Sequence, residues 1–316
     1  MRARAFLALT LAALAACDMP MPAQDLSVVA PARRPDLPPP DETGPVARGQ
    51  TSFDLERHYA RVQADLLKQG LLRRDGGGAD TPFAAHNLAS NFVRIALFDE
   101  YVARGDRLVA QQTASRLRRW EQPVKLQLHF GATVPPEQRI RDVNAVVGYA
   151  RRLRAATGHP VSVTPDNGNF HVLILHEEER GSYGNRLRQL VPGIGETAVR
   201  TVESMPRDIF CLAFAFSHGT NPAYGRAVAV IRAEHPDLLR LSCIHEEIAQ
   251  GLGLANDSPS ARPSIFNDDE EFALLTRHDE LLLRILYDKR LKPGMDAASA
   301  RPIVSTIAAE LMGGES

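Results

Sequence analysis

Between Cys243 and Asp257 the chain reads CIHEEIAQGLGLAND, and this stretch narrows the possible folds more than any other. Apolar residues at Leu238, Leu241, Ile244, Ile248 and Leu252 recur at helical spacing after Pro236, a residue tolerated where a helix begins. Glu246 and Gln250 stand i, i+4, one above the other and away from that apolar stripe. Gly253 can end the helix in a left-handed turn, and Asn256-Asp257 follow directly. A helix apolar on one side needs a sheet or other helices to lie against. Its polar face is then free to line a cleft.

The preceding sequence supplies such a partner. Phe53 to Leu72 carries a helical period that ends before Gly76-Gly77-Gly78, and Thr81-Pro82 opens a second helix expected to run through Leu88, Phe92, Ile95, Leu97 and Tyr101 to Gly105. A further amphipathic stretch is expected to reach Arg118. Val124, Leu126, Leu128 and Phe130 alternate as a strand, and a helix is expected over Arg139 to Thr157. Val161 to Val163 and Asn169 to Leu175 read as strands around a Pro165-Asp166-Asn167-Gly168 turn. Two short helices follow, over Ser182 to Val191 and Glu196 to Val202, and then strands over Ile209 to Phe216 and Ala227 to Ile231. Helices, a small mixed sheet and a cleft helix over that sheet make an α+β domain.

With 316 residues, 44% hydrophobic and 24% charged, the chain is long enough to bury a large core. A net charge of −1 excludes a global pull toward nucleic acid, and one Trp among few aromatics offers no stacking platform for single strands. We find no internal repeat, no P-loop, no G-x-G-x-x-G and no G-x-S-x-G elbow.

The N-terminus speaks to location. Two arginines precede the small and apolar run Ala5 to Ala16, which is too short to span a bilayer as a mature helix. The run ends Leu14-Ala15-Ala16-Cys17, which resembles the bacterial lipobox and makes Cys17 the expected lipid attachment point. From Asp18 to Gln50 eight prolines and no hydrophobic period describe an extended spacer. The expected organisation is a signal peptide over 1–16, a lipidated tether over 17–50, a helical region over 51–118 and an α+β domain over 119–316. Such a protein sits in the cell envelope facing the periplasm, and its Asp18 does not decide between inner and outer membrane. Cys211 and Cys243 then remain as a pair, either a disulfide of an oxidising compartment or two buried neighbours.

The motif E-E-x-x-Q-x-x-G-x-x-N-D has the spacing of the metzincin-like zincins, H-E-x-x-H-x-x-G-x-x-H-D, without the histidines. More closely, Cys243 to Asp257, Pro263 to Phe272 and Leu275 to Asp288 resemble an uncharacterised family of Gram-negative lipoproteins that has no established activity. The zincin resemblance implies a metzincin-like domain. It places Glu246, Gln250 and Asn256 at the ligand positions, Glu247 at the general base, and Phe266 where a methionine turn carries its methionine. One carboxylate and two amides make a poor zinc set, because amide oxygens are weak donors, so zinc is the implied metal but poorly served. Oxygen ligands suit calcium, magnesium or manganese better. His278, at the start of the next helix, is the candidate replacement ligand. His245 opens an H-E-x-x frame that meets Ala249, not a second ligand.

Two functional expectations follow. The first is an anchored, degenerate domain that binds a peptide or envelope partner in the old substrate cleft without catalysis. The second is an unorthodox metal-dependent hydrolase or peptidase with Glu247 as base. A purely structural polar network around Gln250, Asn256 and Glu246 competes with both.

Overall fold

The computed structural model describes residues 47–313, apart from 105–106, 218, 220 and 268, and leaves the side chains of 100–110 undescribed. The expected signal peptide, the lipid site Cys17 and nearly all of the tether therefore lie outside the described residues. No described helix is long and apolar enough to cross a membrane.

The fold is mixed α+β. Its centre is a five-stranded sheet in the order β4-β3-β5-β7-β6. The strands are β3 (Val124–Phe130), β4 (Val161–Val163), β5 (Phe170–Leu175), β6 (Cys211–Ser217) and β7 (Tyr224–Arg232). β3, β4, β5 and β7 run parallel, and β6 pairs antiparallel with β7 at one edge. All six residues of β5 (FHVLIL) are buried, as expected of a central parallel strand covered on both faces.

One face of the sheet carries α3 (Pro136–Thr157), α7 (Asp237–Gln250) and α8 (Arg277–Leu286), with α2 (Ala85–Ala96) and α9 (Ala297–Leu311) behind them. Trp120, Phe130, Phe170, Ile248, Phe266 and Leu282 belong to this core. The other face is covered by α5 (Gly184–Leu190) and α6 (Glu196–Glu203), whose Leu187, Val199 and Val202 pack on Leu173, Val228 and Val230. α1 (Gln50–Lys68) joins through a smaller cluster of Tyr59, Leu72, Leu239 and Ala273.

Three expectations need correction. The second helix stops at Ala96, and residues expected to extend it form β1 (Phe98–Arg104), paired with β2 (Arg107–Ala114) in an antiparallel hairpin. The Leu97 to Tyr101 spacing suits a helix turn, but Gly105-Asp106 between Arg104 and Arg107 has the composition of a two-residue hairpin loop. So the stretch to Arg118 is not wholly helical. Second, β4 and β5 do not pair with each other, because β3 lies between them and all three run parallel. The Pro165–Gly168 segment is thus a connection across β3, and not a hairpin turn. Third, α7 buries Leu239 in place of Leu238 and Leu241, which are half-buried, and it also buries Cys243, His245 and Glu247.

Candidate functional site around helix α7

Helix α7 leaves the C-terminal end of β7 and packs back under the sheet. Two glycines fix its far end. Phe170 lies where a Cβ on Gly251 would stand, 2.3 Å from its Cζ, and the Trp120 indole donates to the Gly251 carbonyl at 2.8 Å. Gly253 has φ +128°, and a Cβ there would meet the Arg118 carbonyl oxygen at 2.4 Å. The motif's glycine is therefore required both by backbone conformation and by close approach.

Most polar residues of the motif have structural partners. His245 stacks on Tyr149 with ring centroids 4.0 Å apart, and its Nδ1 accepts from the Leu275 amide at 3.1 Å. Burial, with the nearby Arg152 charge, pushes its pKa down to about 3. Asn256 is buried and its amide donates to the carbonyls of Arg94 at 2.9 Å and Asp257 at 3.0 Å. His278 is fully buried, with Nε2 3.2 Å from the Asn91 amide and Phe83 edge-on at 4.9 Å. Asp279, beside it, accepts from Ser264 Oγ, Thr276 Oγ and the amides of Ile265 and Thr276, which ties the 263–266 turn to the start of α8. Phe266 is buried in that turn, its carbonyl accepting from Ser258.

The expected ligand positions thus take different surroundings. Glu246 and Gln250 remain half-buried on one face of α7. Asn256 and His278 are turned into the core by their own hydrogen bonds. Glu247, the expected base, is only 3% exposed. What does converge is different: ligand atoms of Glu246, Glu247 and Cys211 lie within 4.8 Å of one another. Cys211, the first residue of β6, is joined to Cys243 of α7 in a disulfide.

The other end of β6 borders an open cleft. Ala215, Phe216 and Ser217 line it, facing Asp99, Ser115, Arg116 and Arg118, and it has a volume of about 720 Å³. No described strand pairs with the outer side of β6. Among the lining residues Arg118 holds Asp99 at 3.1 Å, and the Ser115 hydroxyl is buried with no hydrogen-bond partner among the described residues.

A second polar cluster, not anticipated from the sequence, collects at the C-terminal ends of β5 and β7. Arg180, on the short helix α4 (Glu177–Arg180), and Arg232 are both 1% exposed; both pair with Glu177 and both donate to the Met205 carbonyl. Glu234 accepts from the Glu177 amide at 2.6 Å, and Glu178 accepts from the Ser52 amide of α1 at 3.2 Å. Arg240 holds Asp142 at 2.9 Å, yet burial still pushes that carboxyl up to about 6. His235 is buried with Nδ1 3.8 Å from Cys243 Sγ, and burial drives its pKa well down. The signal was present in HEEER and RAEHP, each set directly after an apolar strand. This cluster anchors the 202–209 loop and α1, a structural role.

Residues 85–306 match the family described as protein of unknown function (DUF2927). The chain belongs to that family. No curated protein and no solved structure matches it. The matched segment begins with the first residue of α2 and ends within α9. The sheet, α7, the disulfide and the cleft beside β6 all lie inside the DUF2927 domain. So does the β1–β2 hairpin.

Proposed function

We propose that this chain is a lipoprotein anchored through Cys17 in the cell envelope, and that its domain is a degenerate metzincin-like unit that binds an extended peptide or envelope partner without catalysis. The observation that carries the reading is the dispersal of the motif's polar residues. Asn256 donates to the Arg94 carbonyl, His278 Nε2 sits against Asn91 and Glu247 is buried, an arrangement that favours a packed polar network over a zinc centre built from the motif's ligand positions. The motif's spacing and its turn glycine support the metzincin-like part of the proposal.

Binding finds its support at the β6 edge. An edge strand offers a row of backbone donors and acceptors to a second extended chain. The cleft at Ala215 to Ser217 gives room for that chain, and the exposed Arg116 on its lining offers a cation for the chain's polar groups.

The test is selection of unstructured peptides from a random displayed library on the full chain carrying Cys17→Ser. Enriched peptides should bind equally with and without chelator and remain uncleaved. Ala215→Trp, which fills the cleft, should weaken them at least about tenfold, roughly 1.4 kcal/mol. Chelator-sensitive cleavage abolished by Glu247→Ala would instead support the hydrolase reading. Peptides indifferent to Ala215→Trp would remove the β6 edge as the site.

A further inference from the structure

We propose that reduction of the Cys211–Cys243 disulfide creates a divalent-metal site, suited to zinc, formed by Cys211 Sγ and one carboxylate oxygen each from Glu246 and Glu247. This goes beyond peptide binding and lies at the opposite end of β6 from the cleft.

The three potential ligand atoms already lie within 4.8 Å of one another. A tetrahedral zinc site holds its ligand atoms about 3.5 Å apart, as follows from bonds of 2.0–2.3 Å. The set has therefore to contract by about 1 Å to hold zinc. In the disulfide Cys211 Sγ is bonded to Cys243 and is no zinc ligand, which leaves only two carboxylates. The thiolate is the ligand form of cysteine. One thiolate and two carboxylates then supply three protein ligands and leave a fourth place for water.

The two sulfurs are placed for different roles. Cys211, half-buried on the edge strand, is the more exposed residue of the pair. Cys243 is 2% exposed and sits beside His235 Nδ1. With a dithiol reductant, a thiolate attacks Cys211 Sγ, the S–S bond breaks, and Cys243 leaves with the electron pair and takes up a proton. The second thiol of the reductant then attacks its own sulfur in the mixed disulfide and releases Cys211 as thiolate. The reductant ends as a disulfide, two electrons having passed to the two cysteines. Three negative charges would then crowd one point, and a divalent cation neutralises two of them. The metal would also restore the tie between β6 and α7 that reduction removes, because its ligands come from those same two elements.

Cobalt(II) is the probe, added to the full chain carrying Cys17→Ser, with a water-soluble phosphine as reductant. The reduced chain should bind one cobalt with a near-ultraviolet sulfur-to-cobalt charge-transfer band, and zinc should displace it. Cys243→Ser should show the same band without reductant. The oxidised chain and the reduced Cys211→Ser chain should lack it. Glu246→Gln with Glu247→Gln should weaken binding at least roughly 100-fold, the upper end of what losing an outer-shell partner alone costs. The proposal is overturned if the band survives Cys211→Ser, if the oxidised chain binds equally, or if neither the reduced chain nor Cys243→Ser binds. Far-ultraviolet circular dichroism accompanies each measurement. Loss of the fold in both the reduced chain and Cys243→Ser overturns it too, since the site needs β6 against α7.

Discussion

The imidazole of His245 lies flat on the ring of Tyr149, centroids 4.0 Å apart and planes 10° from parallel, while the Tyr149 hydroxyl donates to the carbonyl of His245 itself at 2.7 Å. That pairing joins α7 to α3 through side chain and backbone at once. It places His245, the residue just before the motif, in the core, where it supports the helix and is not available to a ligand.

Burial of such histidines sets the acid response. His245 is held at about 3 and His171 and His176 at about 4, chiefly by desolvation, with His235 and His159 shifted the same way. Unfolded imidazole titrates near 6.5, so below that pH the unfolded chain binds protons that the folded chain refuses. Their stabilisation is complete above about 6.5 and is lost as pH falls toward 4. Asp142, pushed up to about 6, and Glu234, also raised, act in the opposite direction. Five imidazoles outweigh two carboxyls. The urea midpoint should fall between pH 7 and pH 5, and a flat or rising midpoint would contradict the assignment.

Gly253 should not accept a side chain. Gly253→Ala places a Cβ 2.4 Å from the Arg118 carbonyl at φ +128°, and should cost about 1–3 kcal/mol from backbone strain before the clash is counted. Gly148 is the control: it sits exposed within α3, and a methyl group added there would meet nothing within 4 Å. Gly148→Ala should stabilise by roughly 0.5–1 kcal/mol. Denaturant titration of both variants checks the contrast.

Asp279 should be among the most sensitive buried positions. Its carboxylate accepts from Ser264, Ile265 and Thr276 in a fully buried setting. Asp279→Ala leaves those donors without an acceptor and should cost about 3 kcal/mol or more. Asp279→Asn keeps one acceptor oxygen and should cost less. Equal unfolding midpoints for the two variants would count against this account.

The disulfide closes a separation of 32 residues, for which chain entropy gives roughly 3–4 kcal/mol of stabilisation. Cys211→Ser with Cys243→Ser should lower stability by about that amount while leaving the far-ultraviolet spectrum of the folded state unchanged. A loss well below 1 kcal/mol would mean that the unfolded chain is already compact near these residues.

Local chemistry made much of the fold legible. The apolar alternation of Val124 to Phe130, the unbroken apolar run of β5 and the helical period after Pro236 each belong to a single segment, and each was readable there. Gly253 was readable as a turn residue, but the helix ends earlier, at Gln250 capped by Gly251, and only the close approach of Arg118 shows why position 253 needs glycine. Pairing was not readable in this way. Whether β4 meets β5 or β3, and whether Phe98 to Ala114 winds into helix or folds into a hairpin, depends on which neighbours cover each segment. The site divides along the same line. Sequence spacing alone determined that Glu246 and Gln250 share a helical face. Only tertiary packing decided that Asn256 turns to Arg94, that His278 turns to Asn91, and that Cys211 comes to stand beside Glu246 and Glu247. The reason is that a buried amide or imidazole takes whatever partner the surrounding elements present, and those elements come from parts of the chain far apart in sequence.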